Sequence, residues 1–255
     1  MYVEDYLIEV TKGEVPFHSR FEKYGRVDNV DIITDPQDVW SPGGEFTGFP
    51  LNVGEQLEIS SSSGNDTAVG LGGSGARTVE IFNLLDDTGA ALPNITVSLA
   101  GAGWVSLGAL SYYRGGTRMK VRSAGATGSN EGAITLRQAV TTANIMSVMQ
   151  IGTNRTSVMA YTVPLGKTLY AQASIRMATA GGTNGSSLVL LKAREYGGVF
   201  ENVIDPEITN HAPYLSMPNK YHILPERTDI KIRCETVSDN NTIVTGEMFG
   251  FFKDN

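Results

Sequence analysis

Residues 77–82 read Arg-Thr-Val-Glu-Ile-Phe, so that polar and apolar side chains alternate along the stretch. Residues 118–122, Arg-Met-Lys-Val-Arg, repeat this alternation, and clusters rich in Gly, Ser, Asn and Asp lie at 60–66 and 70–75. Period-two alternation bounded by such clusters is typical of half-buried β-strands joined by tight turns. Because the same texture recurs from about residue 50 to the end of the sequence, it predicts an all-β protein.

The charge of the protein indicates which kinds of partner it does not bind. The 255 residues carry a formal net charge of −7, and only 18% of them are charged. An acidic surface repels nucleic-acid phosphates and anionic lipids on average, so the sequence predicts no nucleic-acid partner and no membrane partner. The first ten residues lack the basic start and apolar run of a secretory signal peptide. We therefore expect that the protein is made and kept in the cytosol, unless it leaves as part of a particle.

Cys234 is the single cysteine, which excludes an intrachain disulfide. Alternation along 229–236 places it on the same face as Ile230 and Ile232. A free cysteine in such a position usually behaves as a small buried hydrophobe, and that is the prediction here.

The organisation of the chain changes near residue 50. Residues 1–50 combine many aromatic and charged side chains with three prolines but show no strand periodicity, which predicts an extended N-terminal arm packed on its own domains or on a neighbouring subunit. Residues 51–142 and 143–255, joined by a linker near 141–144, show strand spacing typical of β-sandwiches. The predicted fold is two consecutive β-sandwich domains, jelly-roll-like in the second, which fold without the arm.

The sequence also places a long loop and the individual strand candidates. A loop over 199–220, rich in Pro and Asn, exceeds the usual length of a plain connection and predicts a binding loop or a contact surface. The strand candidates are 56–60, 77–83, 94–99, 104–107, 117–122, 132–138, 145–151, 157–163, 168–178, 187–196, 221–224, 228–236 and 242–253.

The arm supplies the predicted contact residues. Trp40 and Phe46 flank Pro-Gly-Gly at 42–44, and aromatic side chains concentrate interface energy when they fill a pocket on a partner. Arg20, Lys23 and Arg26 are predicted to form a local basic patch that contacts acidic groups on a partner. The alternative is that these side chains are only exposed to solvent. The full set of predicted interface residues is Phe17, Arg20, Lys23, Tyr24, Arg26, Trp40 and Phe46.

Enzymatic and cofactor motifs are incomplete in this sequence. The glycine string at 70–75 matches a dinucleotide fingerprint only as letters, because the residues after it alternate as a strand and the fingerprint needs a helix there. His18, His211 and His222 are not spaced as metal ligands, and no Gly-x-Ser-x-Gly elbow is present. Acidic pairs at 28–31 and 86–87 are interpreted as turn formers, with weak calcium binding as the alternative. We predict no catalytic residue, no cofactor and no metal.

Several strings resemble virion structural proteins of tailed bacteriophages. They are Pro-Phe-His-Ser-Arg at 16–20, Lys-Tyr-Gly-Arg at 23–26, Asp-Val-Trp at 38–40, Gly-Gly-Glu-Phe at 43–46, Ser-Ser-Gly-Asn-Asp-Thr-Ala at 62–68, Gly-Ala-Arg-Thr-Val at 75–79, Arg-Met-Lys-Val-Arg-Ser-Ala-Gly at 118–125, Gly-Ser-Asn at 128–130 and Tyr-Thr-Val-Pro-Leu-Gly-Lys-Thr at 161–168. The resemblance implies a structural role in the virion, on the head exterior as a decoration or cement protein in contact with the major capsid protein.

Three function classes follow from these observations. The first is the structural one, for which we expect a symmetric homotrimer because Gly-rich β-sandwiches leave edges that association covers. The second is a tail or fibre component whose loops, above all 199–220, bind a host-surface glycan or receptor. The third, a depolymerase, is disfavoured because no acidic pair stands out as acid and nucleophile.

Overall fold

The computed structural model describes residues 3–33, 36–49, 54–70, 72–108, 117–179, 185–204, 206–209, 213–215 and 220–255. The protein is nearly all-β, as the sequence predicts, and every strand pairing in the described ranges is antiparallel. The elements are α1 (Val3–Lys12), β1 (His18–Val30), β2 (Gln37–Asp38), β3 (Leu57–Ser61), β4 (Ala76–Phe82), β5 (Ile95–Ser98), β6 (Val105–Ser106), β7 (Arg118–Ala124), β8 (Ile134–Gln138), β9 (Ile145–Met149), β10 (Ala160–Thr162), β11 (Lys167–Thr179), β12 (Ser186–Arg194), β13 (Glu201–Ile204), β14 (Glu207–Thr209), β15 (Tyr214–Leu215), β16 (His222–Leu224), β17 (Asp229–Val237) and β18 (Thr242–Asp254).

The chain forms two compact units whose bounds differ from the predicted ones. Unit 1 combines Met1–Glu45 with Met159–Asn255, and unit 2 is Phe46–Val158. The predicted linker at 141–144 is instead a turn, in which the Asn144 N–H donates to the Thr141 carbonyl over 2.8 Å, and β9 after it pairs with β8. Met146 and Met149 of β9 are buried in the core of unit 2, which explains why the chain does not leave the unit there.

Unit 1 contains two sheets that contribute to one core. The first sheet has the order β1-β18-β11-β15, with β16 also paired to β11. The second has the order β10-β17-β12-β13, with β14 paired to β12 and β2 paired to β17. Alternation along each long strand turns every second side chain inward. Buried residues from both sheets include Phe21, Val27, Leu169, Ile175, Val189, Leu191, Ile230, Ile232, Cys234, Val244 and Met248.

Unit 2 is built in the same way from shorter strands. One sheet has the order β6-β3-β8-β9, and the other has the order β5-β4-β7. Their inward side chains form a second core, which shares no residue with the core of unit 1. It includes Leu57, Ile59, Val79, Ile81, Leu84, Leu99, Met119, Ile134, Leu136, Met146 and Met149.

The segment predicted as an extended arm contains a helix and a strand of unit 1. β1 is 13 residues long and pairs with β18 from His18 opposite Lys253 to Val27 opposite Val244. Its Phe21, together with Val27 and Val30, is buried in the core of unit 1. Residues 18–30 are therefore an integral strand rather than an appended arm, and the expectation that the rest folds without them does not fit this core.

The predicted long loop at 199–220 also contains regular structure. β13, β14 and β15 lie within it and pair with β12 or β11. Residues 205, 210–212 and 216–219 of this segment, with His211 among them, lie outside the described residues. Cys234 is buried on the same face as Ile230 and Ile232, as predicted.

Candidate assembly surface

β1 presents a row of polar side chains on the outer face of its sheet. Arg20, Glu22, Tyr24, Arg26 and Asp28 are all exposed, with 42% of Tyr24 accessible, and a buried residue occupies each position between them. This is the alternation that a strand imposes when one side of its sheet covers a core. The row places four charges around a central aromatic residue.

The charges of this row pair with their neighbours on the same strand. The Arg20 guanidinium Nη2 lies 2.6 Å from Glu22 Oε2, and Arg26 Nε lies 2.7 Å from Asp28 Oδ1. All four side chains are about half exposed, and such pairs contribute about 0.2–1 kcal/mol each. They fix the direction of the charged groups more than they stabilise the unit.

Lys23 is not part of a basic patch with Arg20 and Arg26. Its side chain points to the opposite face of the sheet, is only 4% exposed, and lies with Nζ 5.8 Å from the centroid of the Tyr161 ring. The even spacing of the two arginines and the odd position of the lysine place them on opposite faces of one strand. The predicted patch is therefore divided, with only the two arginines accessible.

Trp40 and Phe46, the predicted anchors, are buried within their own units. Each is 4% exposed; the Trp40 Nε1–H donates to the Gly44 carbonyl over 3.3 Å, and Phe46 packs edge-on against Phe49 at 4.9 Å between centroids. Neither side chain is accessible to a partner in this conformation. Phe17, by contrast, is 74% exposed just before β1.

An aromatic cluster and a groove lie beside the row. Phe251 of β18 contacts Tyr6 of α1 at 5.3 Å between centroids and stacks on Tyr170 of β11 at 5.1 Å, with His18 and Tyr221 also in contact. A groove of about 370 Å³ runs between α1 and the sheet and is lined by Leu7, Ile8, Thr11, Lys12, Arg20, Phe21, Phe249 and Gly250. Sequence reasoning missed this cluster, although the aromatic residues at 249, 251 and 252 were visible as a signal.

In unit 2, the strings at 62–68 and 75–79 meet residues 131 and 132 around a buried carboxylate. Asp66 is fully buried and accepts hydrogen bonds from the Ser61 hydroxyl at 2.6 Å and from the backbone N–H groups of Ala76 at 2.7 Å, Glu131 at 2.9 Å and Gly132 at 2.8 Å. A buried carboxylate is stable when several donors surround it. Asp66 therefore connects three turns that are distant in sequence.

Glu131 extends this network at the surface. Its carboxylate accepts hydrogen bonds from the Ser74 hydroxyl at 2.5 Å and from the Asn65 amide at 2.7 Å, and these donors hold the pKa of Glu131 below its ordinary value. Gly73 lies so close to the Asn65 carbonyl that a Cβ at this position would collide with it. Gly73 of the glycine string thus serves close backbone packing.

Two asparagines form a second hydrogen-bond network. The Asn130 and Asn154 side-chain oxygens each accept the backbone N–H of the other residue, at 3.0 and 3.1 Å. Asn130 also donates to the Gly132 and Gln150 carbonyls, at 2.7 and 2.8 Å. These side chains hold turns together, and their polar groups are committed to the backbone.

Local geometry shows what two of the strings considered above form in the structure. The residues after the glycine string form β4 and not a helix. Asp86 accepts the Thr88 and Ala90 N–H groups, each at 2.9 Å, as a turn former does. Within the described ranges, no group of three His, Cys, Asp or Glu side chains is placed to hold a metal ion. No helix in those ranges has the length and apolarity needed to cross a membrane.

Comparison with known proteins gives weak likenesses. Neither models of protein families nor curated protein sequences match the chain. It is weakly similar to a structure of the infectious bursal disease virus Gx strain, with a TM-score of 0.24 and 10% identity over 93% of this chain and 73% of that one. The VP2 subviral particle of the same virus gives a TM-score of 0.22 and 10% identity over 99% and 78% of the two chains. Similarity at this level does not establish a common fold.

Proposed function

We propose that this chain is a non-enzymatic structural protein of a virion that acts through contacts with copies of itself and with other virion proteins. The observation that supports this most is the use of the phage-like strings in unit 2. Their polar side chains, Asp66 and Asn130 above all, are committed to backbone groups that hold turns together. Such a network maintains a shape and offers little to a substrate.

The finer form of the proposal is a capsid decoration or cement protein. In this form each unit is a two-sheet β-sandwich, jelly-roll-like in unit 1, because the inward side chains of two sheets share each core. The chain is a homotrimer on the head exterior and contacts the major capsid protein. The exposed members of the predicted interface, Phe17, Arg20, Tyr24 and Arg26, are the residues proposed to make contacts.

Image reconstruction of intact particles tests this proposal. The expected result is density for the chain at symmetric positions on the head, with exposed residues of β1 at a subunit contact. Density confined to the tail or fibres would replace the decoration role with the second candidate. Particles that contain no copy of the chain would refute the structural role altogether.

A second candidate, a tail or fibre component that binds a host-surface glycan, is favoured by one exposed aromatic residue. Tyr196 precedes segment 199–220, is 49% exposed, and carries the Arg227 guanidinium 3.5 Å from its ring centroid. An exposed tyrosine combines an apolar ring face with a polar hydroxyl, and such side chains are enriched at binding interfaces. A glycan array with the wild type and a Tyr196→Ala variant tests it: binding lost in the variant supports this candidate, and no binding by the wild type excludes it for the glycans tried.

A further inference from the structure

The exposed row of β1 is complementary to itself when it is reversed. From the amino end, the row reads basic, acidic, aromatic, basic, acidic, and its members are Arg20, Glu22, Tyr24, Arg26 and Asp28. We propose, resting on the proposed structural role, that two copies of this chain from neighbouring homotrimers pair along β1 in antiparallel orientation about a two-fold axis at Tyr24. The first sheet of unit 1 then continues from one copy into the next.

The edge of β1 is open in the described part of the chain. β1 stands at the end of its sheet, with β18 on one side and no described strand on the other. An edge strand presents a row of N–H and C=O groups that a second strand can satisfy, and natural proteins usually keep such strands short. At 13 residues, β1 is long for an edge strand.

The backbone direction agrees with the proposed pairing. The Asp254 N–H donates to the Phe17 carbonyl over 2.8 Å, one position before the pair of His18 with Lys253. Alternate residues of an antiparallel strand direct both backbone groups to opposite sides, so the odd-numbered residues of β1 bond to β18. The even-numbered residues therefore direct their N–H and C=O groups to the open edge, and they are the residues of the exposed row.

With the axis at Tyr24, every charge of the row meets its opposite. Glu22 faces Arg26 of the second copy, and Arg20 faces Asp28 of the second copy. Within each strand, Arg20 already pairs with Glu22, and Arg26 pairs with Asp28. Together with the pairs between the two strands, these contacts form closed rings of four charges in which each charge is next to opposite charges only. A register shift after Val27 ends the regular part of the strand, so the contact ends near Asp28.

Neighbouring registers place like charges opposite each other. An axis moved one residue toward the amino end sets Arg20 against Arg26, and one moved toward the carboxyl end sets Glu22 against Asp28. Like charges directly opposite each other in a ladder are destabilising. The same row that favours one register therefore opposes slippage and pairing with unrelated edges, as charged edge strands generally do.

Charge reversal in the full-length chain tests the pairing. Glu22→Arg and Arg26→Glu each set like charges opposite one another twice, and we expect each variant alone to weaken self-association by about tenfold or more in sedimentation. An equimolar mixture of the two variants restores opposite pairs and is expected to associate, as is the double variant E22R/R26E. Arg176→Glu, an exposed reversal on the internal strand β11, is the matched control and leaves association unchanged.

A symmetric cross-link tests the axis itself. Opposite residues in a hydrogen-bonded pair have Cα atoms about 5.5 Å apart, which a disulfide spans. Tyr24→Cys is therefore expected to form a covalent dimer on oxidation, while the native Cys234 is buried and does not react. Asp28→Cys is the control, because its two copies lie about 26 Å apart in this register.

The outcomes separate this inference from the proposed function. A wild-type chain that is monomeric at all concentrations, single reversals without effect, or equal cross-linking of the Tyr24 and Asp28 variants would each overturn the β1 contact. If the Arg26→Glu variant still enters particles at the wild-type level, the contact is wrong while the structural role stands. If no particle contains the chain, the structural role fails whatever the sedimentation shows.

Discussion

Unit 2 satisfies its buried carboxylate with backbone N–H groups, whereas unit 1 places its buried carboxylates against cationic side chains. In unit 2, Asp66 binds three backbone N–H groups and a hydroxyl. In unit 1, Asp229 accepts from the Arg194 guanidinium at 2.6 Å and Asp38 from Lys231 at 2.8 Å. The first arrangement closes turns, and the second ties neighbouring strands together across a sheet face.

The difference shows where each unit keeps its charges. On β17, charged residues alternate with core residues, so that Asp229 and Lys231 lie on the face away from Ile230. The exposed row of β1 repeats this arrangement at the edge of the other sheet of unit 1. Charges arranged along strands are able to select a register between chains, while carboxylates enclosed in turns are not. In the proposed assembly, association is therefore a property of unit 1, while the polar network of unit 2 holds its own turns together.

Removal of residues 1–30 is expected to have the largest effect. It removes α1 and β1, and the burial of Phe21, Val27 and Val30 stabilises by about 1.5–3 kcal/mol per side chain. Together with the lost ladder to β18, this is comparable to the whole stability of a domain, about 5–15 kcal/mol. Thermal unfolding should lose the transition of unit 1 and keep that of unit 2.

An isolated fragment of residues 46–158 is the control for this deletion. Its melting temperature should match the transition that remains in the shortened chain. A shortened chain that unfolds at the wild-type temperature would show that β1 is dispensable, and the division of the chain into these units would then be wrong.

Asp66→Ala is expected to destabilise unit 2 by at least about 4 kcal/mol, because four donors lose their acceptor and each such loss costs about 1–3 kcal/mol. The donors affected are the Ser61 hydroxyl and the N–H groups of Ala76, Glu131 and Gly132. Chemical denaturation of the full-length chain measures the loss. The exposed Asp87→Ala should stay within about 0.5 kcal/mol of the wild type. Equal effects of the two variants would show that the hydrogen bonds of Asp66 do not stabilise unit 2.

Arg194→Met is expected to destabilise unit 1 by about 2–4 kcal/mol, since it leaves a buried carboxylate without its cation. Asp229 is fully buried, and the hydroxyl of Thr162 at 2.7 Å remains as a donor, which moderates the loss. The double variant R194M/D229N should recover part of the stability in the same denaturation experiment. A double variant less stable than R194M would contradict this account of the pair.

The smallest expected effect is a pH dependence in unit 2. Because the hydroxyl of Ser74 and the amide of Asn65 hold the pKa of Glu131 below its ordinary value of 4.5, the folded state binds fewer protons there than the unfolded state. The resulting stabilisation is present above pH 4.5 and is lost as the pH falls through the lowered pKa. Glu131→Gln should therefore make the melting temperature of unit 2 less dependent on pH between pH 5 and 3. An unchanged pH profile would exclude Glu131 as a contributor.

Strands with an uninterrupted period of two could be predicted from the sequence. The candidates 77–83, 228–236 and 242–253 agree closely with β4, β17 and β18. The inward positions of β4 and β17 carry Val79, Ile81, Ile230 and Ile232, so the alternation is visible in the letters. The class of the fold follows from such strands.

β1 could not be recognised in this way because its inward positions include Lys23 and Gly25. A Cβ at Gly25 would collide with the backbone at Met159, so a glycine is needed there, and the lysine has a tyrosine ring beside it. Both residues break the apolar pattern while serving the packed structure. The contact residues of the N-terminal segment stay a prediction, and the face that each one occupies depends on the pairing with β18, which no local pattern records.

The pairing of β1 with β18 also has a consequence for synthesis on the ribosome. β1 emerges early, whereas its partner begins at Thr242. At 5–20 residues per second, more than 200 intervening residues leave β1 without its neighbour for roughly 10–40 s. During that time both edges of a self-complementary strand are open, and nascent chains on one messenger are close together. Unit 2, complete by residue 158, is able to fold in the interval, so the order of translation separates the early folding of one unit from the late closure of the other.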